Sequence, residues 1–506
     1  MRVTTEWEAL IVGSRRRVRH ELRESAYRYR GSVMGCFEHV LLKWLCAMFA
    51  ACVLLLWMPV AAAGIVAEAV SASPGGGLPD EGRNVVQAGP EDYRAAVAAL
   101  GPGDWLQLEP GDYPRSLRLH GVRGTPERPI VISGPAEGEP AVLRGRRGEN
   151  TISLVDAEHL VIRHLTLDGG GEPVAGVVAE ARGDGVHHVT LEHLTIRHYD
   201  RSQGNTGITT RVPAWGWVIR HNEIHDVGTG MYLGQPDGTS PFVGGVIEHN
   251  HVHRTLGYNI QIKHQTEREM IPDQDPGPRE TRIRFNFLNK AERGSDGARA
   301  RPNLLVGHFP PTGPGSEDRY RIEGNLFYQN PHERLFQGEG NLLIHDNLFV
   351  NDVGDALLVR PHNHVPREIH VVNNTVLATG FGIRVDEPDR AHEQVVAGNA
   401  VFAGHPLQLS GGIAGAENFT ASREAAARYL VAPDAGLDAL DLYPRAGGLQ
   451  ERGDSVSSPA IAGADRDYNG RLRERPVWGA YAGPPGPNPG RVEGIGPRVP
   501  GCAPCQ

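Results

Sequence analysis

The sequence predicts an all-β chain: a single-stranded right-handed parallel β-helix with an N-terminal cap and an irregular C-terminal cap. Two observations carry this. The first is a six-residue pattern (apolar, two polar or small residues, Asn or Leu, any residue, apolar) that begins at Ile162, Leu191, Ile219, Ile247, Ile283, Ile322, Ile344, Val371 and Val396. Successive copies lie 22 to 39 residues apart, a step that holds two or three strands with their turns. No helical period of 10–15 residues fills the gaps, which argues against alternating β and α units. One such coil cannot bury its own apolar face, whereas a stack can. The second observation is chemical. The second position reads Arg163, Glu192, Arg220, Glu248, Arg284, Glu323. Stacked strands sit about 4.8 Å apart, so like charges in that column would repel and alternating ones attract. The fourth position, Leu165 and Leu194 followed by Asn222, Asn250, Asn286, Asn325, Asn347, Asn374 and Asn399, suits a side-chain amide ladder running up the stack.

Taken in order, the chain begins with an Arg-rich stretch over residues 1–39, followed by a nearly unbroken apolar run from Val40 to Ala63 ending in Ala61-Ala62-Ala63. Basic flank, apolar run and small-residue end read as a secretory signal peptide over 1–63, with Met34 as a start that would shorten the basic flank. The run is also long enough to remain as a membrane anchor. Export to the periplasm or medium is therefore expected, with membrane attachment only through this segment. Cys36, Cys46 and Cys52 lie in the leader, leaving Cys502 and Cys505. A disulfide framework is thus absent, and the Cys502–Cys505 pair reads as a small local disulfide or an incidental pair. Of the 51 basic and 60 acidic side chains, nine and five lie in residues 1–63, so the remainder carries a net charge of −13. That balance excludes a general nucleic-acid binder. An acidic polymer would need a local basic groove or a bridging cation, Ca²⁺ being the one considered. A monomer is expected.

Residues 64–83, with Pro74 and Gly75-Gly76-Gly77, read as a linker. Asp92 to Leu100 is a short Ala-rich amphipathic stretch, the natural N-terminal cap for a solenoid. "GPGDWLQLEPGDYP" resembles the opening of several β-helix polysaccharide lyases, a resemblance that implies a strand followed by a Gly-Asp-Tyr turn. The β-helix is bounded at 84–483, and residues 484–506 read as a Pro/Gly-rich flexible tail.

The third position of the pattern begins His164, His193, His221, His249. A column of coils gives a line of imidazoles, whereas a tetrahedral metal site needs convergence, so stacked His on a half-buried face is the reading. His225 and His253 form a shorter column with Glu223 and His251 beside them. These are the residues that could hold a surface metal, although no metal is assigned to them.

Most coils carry a second short strand after the pattern: "GITTR", "GMYLG", "NIQIKHQ", "NLLVGHF", "ALLVR", "GIRVD" and "PLQLS", with Leu335–Gln337 as the least regular member. Alternation turns Ile260 and Ile262 inward, and likewise Leu304 with Val306 and Leu357 with Val359. The next position then faces out: Arg211, Gly234, Lys263, Gly307, Arg360, Asp386, Ser410. The two longest steps flank Lys263 and His308 and hold the loops 265–281, 291–301 and 310–319, which is where sites on regular scaffolds usually sit. Lys263 is one of three lysines, with Lys43 and Lys290. A Lys loses its proton near neutral pH when desolvated, whereas Arg effectively does not.

The copies "VIRHNEIHD", "VIEHNHVHR", "IEGNLFYQN" and "IHDNLFVND" resemble coils of the pectate-lyase-like β-helix superfamily over roughly Asn84 to Gly483. The resemblance implies the fold. It leaves the activity open among polysaccharide lyases, glycoside hydrolases, uronate epimerases and non-catalytic binding or structural proteins. β-Elimination on a uronate polymer needs a cation on the carboxylate, a base at the ring carbon and a donor for the leaving oxygen. Alginate lyases and chondroitinase B of this class are similar in using a strand Lys with an Arg on the following coil. By that resemblance Lys263 or His308 would be the base and Tyr232 the donor. The matching next-coil position is Gly307, so the Arg role falls to Arg301 or Arg299. Arg211, His264, Arg299, Arg360, His362 and Asp386 are the expected substrate-binding residues. "FGIRVDEPDRAHEQVVAGN" is similar to the segment around the Asp-Pro-His-Asp motif of mannuronan epimerases: Asp386 and Asp389 match its two Asp, but Glu387-Pro388 replaces Pro-His, leaving His362 or His364 to supply the missing imidazole. An acidic polysaccharide is thus the expected partner, lyase-type elimination the leading reading, a non-catalytic glycan- or protein-binding β-helix the first alternative and epimerisation the second. Finally, "ENFTASREAAARYLVAPDAGLDALDLYP" reads as a terminal turn, short helix and edge strand. "ADRDYNGRLRERPVWGAYAG" is expected to cap the last coil, its acids serving structure.

Overall fold

The computed structural model describes residues 84–490 apart from 270, 272–276, 416, 450–463, 475–476 and 483–486. The leader, the linker, most of the tail and both terminal cysteines lie outside the described residues. The chain divides into two units, Met1–Ser73 and Pro74–Gln506, the first consisting of residues outside the described set.

Two long parallel sheets wind together as a parallel β-helix, with every pairing inside them parallel and each coil pairing with the next. The crossover direction of such stacked parallel strands is right-handed. The first sheet holds the start of each hexapeptide: Glu158–Arg163, Val186–Glu192, Val218–Arg220, Val246–Glu248, Glu280–Arg284, Arg319–Glu323, Leu342–His345, Ile369–Val372 and Gln394–Ala397. Its registers place Ile162, Leu191, Ile219, Ile247, Ile283, Ile322, Ile344, Val371 and Val396 in one inward column. The same registers set Arg163, Glu192, Arg220, Glu248, Arg284 and Glu323 side by side. The alternation predicted from sequence is therefore a ladder of ion pairs, Arg220 to Glu192 at 2.7 Å and Arg284 to Glu248 at 2.7 Å. It ends on His345, which lies 3.0 Å from Glu323 and 2.7 Å from Asp346. Burial works against charge on His345, but its bonds to Asp346 and Glu323 prevail and raise its pKa to about 9.

The third hexapeptide position explains the histidine column. Each coil turns out of the first sheet through a left-handed residue, with φ between 53° and 72° from His193 to Gly398. That conformation is taken by Gly, Asn, Asp and His far more readily than by bulky side chains. His164, His193, His221 and His249 fill it in the early coils and stack ring on ring at 4.9, 5.0 and 4.7 Å. Phe285 follows His249 at the same position, with its ring 5.3 Å away, and Gly324, Asp346, Asn373 and Gly398 fill it later. The stacked histidines expected from the sequence thus sit at a left-handed turn position.

The fourth position is the ladder. Asn222 Nδ2 donates to Asn250 Oδ1, and the relay passes through Asn286, Asn325, Asn347, Asn374 and Asn399 at 2.9–3.0 Å. It ends one rung beyond the sequence pattern, at Asn418, 2.7 Å from Asn399 Nδ2.

The second sheet runs as two rows. One follows the ladder, through Thr195–Tyr199, Glu223–Val227, His251–Thr255, Phe287–Asn289, Leu326–Tyr328 and Leu348–Asn351. The other holds Thr206–Thr210, Thr229–Leu233, Ile260–Ile262, Leu304–Val306, Phe336–Gly338 and Leu357–Val359. In the last coils the rows merge into the long strands Thr375–Val385 and Ala400–Leu409. At the N-terminus a short helix, Tyr93–Ala98, buries Tyr93 and Val97 against the first coils, as a cap should. Gly111–Tyr113, expected as a turn, is instead a strand paired with Ala141–Arg144. A bend precedes it at Pro110, and Gly111 has a φ of 144°.

The C-terminal segment meets the last coil, where Gly479 N donates to Gly398 O, Trp478 Nε1 donates to Glu417 O and the Trp478 ring lies 5.7 Å from Phe419. It also reaches further than a cap: Leu430, Leu442, Tyr443, Tyr468 and Tyr481 share a buried cluster with Phe287, Leu326, Leu348, Val350, Leu377 and Phe402, which belong to the row that follows the ladder. The segment therefore lies along the side of the stack, as far back as the coil of Phe287. Its acids are structural, as expected: buried Asp467 accepts from the backbone of Asn469, Arg471 and Ala482, and Asp346 pairs with Arg473. Among the described residues no helix is long and apolar enough to cross a membrane.

Candidate functional site

The second row of the second sheet builds the site. Its registers put Arg211, Gly234, Lys263, Gly307, Glu339, Arg360, Asp386 and Ser410 at corresponding positions just past the strand ends. The order matches the sequence reading, except that the irregular coil pairs as Phe336–Gly338, one residue later than expected, and so inserts Glu339 between Gly307 and Arg360. Glycines clear space around Lys263. A side chain at Gly234 would press on Lys263 Cβ at 3.2 Å, and its φ is 92°. A Cβ at Gly307 would overlap the backbone nitrogen of His264. The coil after Lys263 therefore has no room for an arginine in that column.

Arginine arrives from elsewhere. Lys263, Tyr232, Arg211 and Arg301 all line one groove of about 470 Å³, together with Tyr258, Gln203, Gln235, Gln261, Thr206, Thr209, Thr210 and Thr229. Three of its lining side chains are cationic and none is a carboxylate. Four residues drawn from separate coils and a loop thus meet at one place. Arg301 stands over the ring of Tyr258 at 5.9 Å, and its guanidinium donates to the carbonyls of Ala298 and Ala300 in its own loop. No acidic side chain neutralises Lys263, Arg211 or Arg301 among the described ion pairs. The lining of the groove is therefore basic, on a chain that is acidic as a whole.

Burial lowers the pKa of Lys263 below the usual lysine value, with the charge of Glu339 opposing. Burial, then the neighbouring Tyr258, raises that of Tyr232. Burial thus favours the neutral form of both groups.

A residue the sequence reading passed over holds the arginine loop. Lys290 is 1% exposed, and its Nζ donates to Gly257 O at 2.7 Å and Arg301 O at 2.8 Å. Asn330 Nδ2 donates to the same Arg301 carbonyl at 2.9 Å, and Gln203 Nε2 ties the loop at Arg299 O, 2.7 Å away. Burial brings the pKa of Lys290 down to about 7. Lys290→Met removes one donor from each carbonyl, leaving Arg301 O to Asn330 and Gly257 O to Thr255 Oγ1, and loosens the loop. Loss of a hydrogen bond whose acceptor keeps another donor costs about 0.5–1.5 kcal/mol. The expected result is a lower unfolding midpoint and a weaker affinity for anionic oligosaccharide, measured by denaturant titration and calorimetry.

The remaining expected site residues fall outside this groove. Arg299 is exposed on the Gly297–Arg299 turn and contributes its carbonyl. His264 packs near Gly238, and burial followed by Lys263, His362 and His364 lowers its pKa. Arg360 is exposed. His362 and Asn363 donate backbone N–H groups to Glu339, which is 5% exposed. Asp386 is paired with Arg384 through both carboxylate oxygens, at 3.1 and 2.8 Å, and Asp389 caps a turn at Ala391 N. The two Asp of the epimerase-like segment are thus already occupied. His308 differs from expectation. It is 1% exposed, its Nδ1 faces the Phe309 carbonyl and its Nε2 lies 3.1 Å from Val365 O. Both ring nitrogens face acceptors, so no lone pair is offered to the groove, and the role of base does not fit it. The strand ends at Val306, and Gly307 passes under His264, which carries the following side chain inward.

No family model matches the chain, and no curated protein sequence matches it. Among solved structures the chain is similar to XylC in complex with xylose, with 11% identity over 80% of this chain and 99% of that one and a TM-score of 0.49. It is similar to pectate lyase Pel9A, with 12% identity over 79% of this chain and 96% of that one and a TM-score of 0.42. It is also similar to an alginate lyase from Paenibacillus sp., with 16% identity over 52% of this chain and 94% of that one and a TM-score of 0.33. The chain is a parallel β-helix protein, the fold shared by the pectate-lyase-like superfamily.

Proposed function

We propose that this chain acts on an acidic, uronate-containing polysaccharide and cleaves it by β-elimination in the groove around Lys263. The observation that carries this reading is the composition of that groove: Arg211, Lys263 and Arg301 with two tyrosines and no lining carboxylate. A pair of carboxylates, needed for glycoside hydrolysis, is missing from that lining. Arg301 or Arg211 holds the uronate carboxylate and stabilises the charge that develops when the adjacent carbon loses its proton. Lys263, in its unprotonated form, takes that proton. The electron pair of the broken C–H bond forms a ring carbon–carbon double bond, and the glycosidic C–O bond on the next carbon breaks. Tyr232 gives its proton to the leaving oxygen. Solvent then restores the proton on Tyr232 and removes the one on Lys263. A uronate-bridging Ca²⁺ would be a second way to polarise the carboxylate, so assays are run with and without it.

The test is the ultraviolet absorbance of purified protein mixed with alginate, pectate or glycosaminoglycans, since elimination leaves a conjugated unsaturated end. A rise on one of these polymers is expected. A flat trace on all of them, with or without Ca²⁺, would overturn elimination, and a glycan-binding screen would then separate epimerase from binding protein. Export through residues 1–63 belongs to the same proposal, because such polymers lie outside the cytoplasm. Cell fractionation and N-terminal sequencing of the recovered protein test it, and recovery of the uncleaved chain from the cytosol would refute it.

A further inference from the structure

On the row that follows the Asn ladder, away from the basic groove, three side chains of metal-ligating type converge. Glu223 pairs with His251 on the next coil, and His225 with His253. Adjacent coils stand about 4.8 Å apart, and residues two apart on a strand share a face. Glu223, His251 and His253 thus occupy three corners of one small patch. Their ligand atoms all lie within 4.8 Å of one another, and His253 Nε2 is 3.5 Å from Glu223 Oε1.

We infer that Glu223, His251 and His253 form a binding site for one divalent transition-metal ion of the zinc class. Both Nε2 atoms are buried: that of His251 has no hydrogen-bond partner, and that of His253 has only the long 3.5 Å approach to Glu223 Oε1. A buried imidazole nitrogen left unbonded loses the solvation it had in water and gains nothing in return. An ion between them would satisfy both. The rings are already held in place. His251 stacks on Phe287 at 4.6 Å and on His253 at 4.1 Å, and His253 stacks on His225 at 5.1 Å. His225 is not a ligand, because its Nδ1 is engaged by Asp226 at 2.9 Å. Glu223, with its side chain 52% exposed, leaves the fourth position open to water. Two His and one Glu with an open position is a ligand set suited to zinc, with bonds of about 2.0–2.2 Å. Closing onto an ion needs the exposed Glu223 carboxylate to swing in and the two stacked rings to turn their Nε2 atoms toward it. The other histidine cluster, His159, His187 and His188, is less suited. His187 Nε2 is engaged by Glu158 at 2.8 Å, and its Nδ1 faces His188 Nδ1 at 2.9 Å.

The test uses the full chain after chelator treatment, with Zn²⁺ measured by competition against a chromophoric chelator and Co²⁺ as a spectroscopic probe. One Zn²⁺ per chain is expected, with cobalt absorption typical of low coordination number and a zinc-dependent rise in Tm through binding to the native state. Loss of an outer-sphere partner weakens metal sites by about 10–100-fold, so loss of a ligand in Glu223→Gln or His251→Phe is expected to cost at least ~100-fold. Glu223→Gln changes an exposed residue, and His251→Phe extends the stack with Phe287, so both variants should keep the fold. Absence of stoichiometric binding by the wild-type chain overturns the inference. So does undiminished affinity in both variants, which would place the ion elsewhere, with His159, His187 and His188 as the next set to alter.

Discussion

Lys263→Ala is expected to lower kcat on the responsive polymer by about 10²–10⁴-fold while leaving KM nearly unchanged, because a general base contributes in the transition state and little to ground-state binding. Lys263→Arg separates the base from the charge. It restores a cation in the groove, but arginine effectively never loses its proton, so this variant should bind as well as wild type and turn over as poorly as the Ala variant. An active Arg variant would sink the assignment of the base. The pH profile adds a sign. The base must be neutral, so activity rises with pH through the pKa of Lys263, which burial holds below the usual lysine value. The alkaline limb belongs to Tyr232, which must keep its proton and whose pKa burial raises. Glu339 supplies an internal check. Its charge opposes the shift on Lys263, so Glu339→Gln should move the acid limb to lower pH.

The parts of this molecule that were legible in the sequence are those that repeat. Ile219, Arg220 and Asn222 each recur at the same place in the coil, and a recurring requirement on a strand, a charge pair or an amide rung writes itself into the chain many times. Single events were harder to read. Asn418 continues the ladder, but Gly415 and Thr420 stand where the apolar positions should be, so the rung carries no pattern. Glu339 was hidden because its coil pairs one residue later than the apolar residues suggest. Lys290 sits in a loop, and only the folded chain brings Gly257 O and Arg301 O to its amine. The lateral course of the C-terminal segment did leave a trace. Leu326 to Tyr328, Leu348 to Val350 and Thr375 to Ala378 are apolar on both strand faces, the mark of a sheet covered on both sides. The groove was half legible: alternation placed Lys263 and Arg211 in one column, whereas the meeting with Arg301 depends on the path of the loop 291–301.

The ladder itself yields the largest effect on stability. Asn347→Leu is expected to destabilise the central coils by roughly 3–6 kcal/mol, from several buried groups at about 1–3 kcal/mol each. Asn347 is wholly buried. Its Nδ2 donates to Ile322 O at 2.8 Å, His345 O at 2.9 Å and Asn374 Oδ1 at 3.0 Å. Its Oδ1 accepts from the backbone and side-chain amides of Asn325, at 3.0 and 2.9 Å. Leucine fits the space, as Leu165 and Leu194 show at the start of the column, but it meets none of these partners. Position along the ladder should matter. Asn222 is the first rung and accepts only from the backbone of Leu194, so Asn222→Leu leaves no upstream side-chain amide unpaired and should cost less than Asn347→Leu. Because stacked coils are coupled mainly to their neighbours, the loss should also be local. Hydrogen exchange is the suitable measurement: amides of Arg319–Glu323, Leu342–His345 and Ile369–Val372 should lose protection in Asn347→Leu, while those of Glu158–Arg163 keep theirs. Equal protection in wild type and Asn347→Leu would mean that the amide relay merely decorates a stack held by its apolar columns. Uniform loss along the whole chain would mean that the β-helix unfolds as one unit.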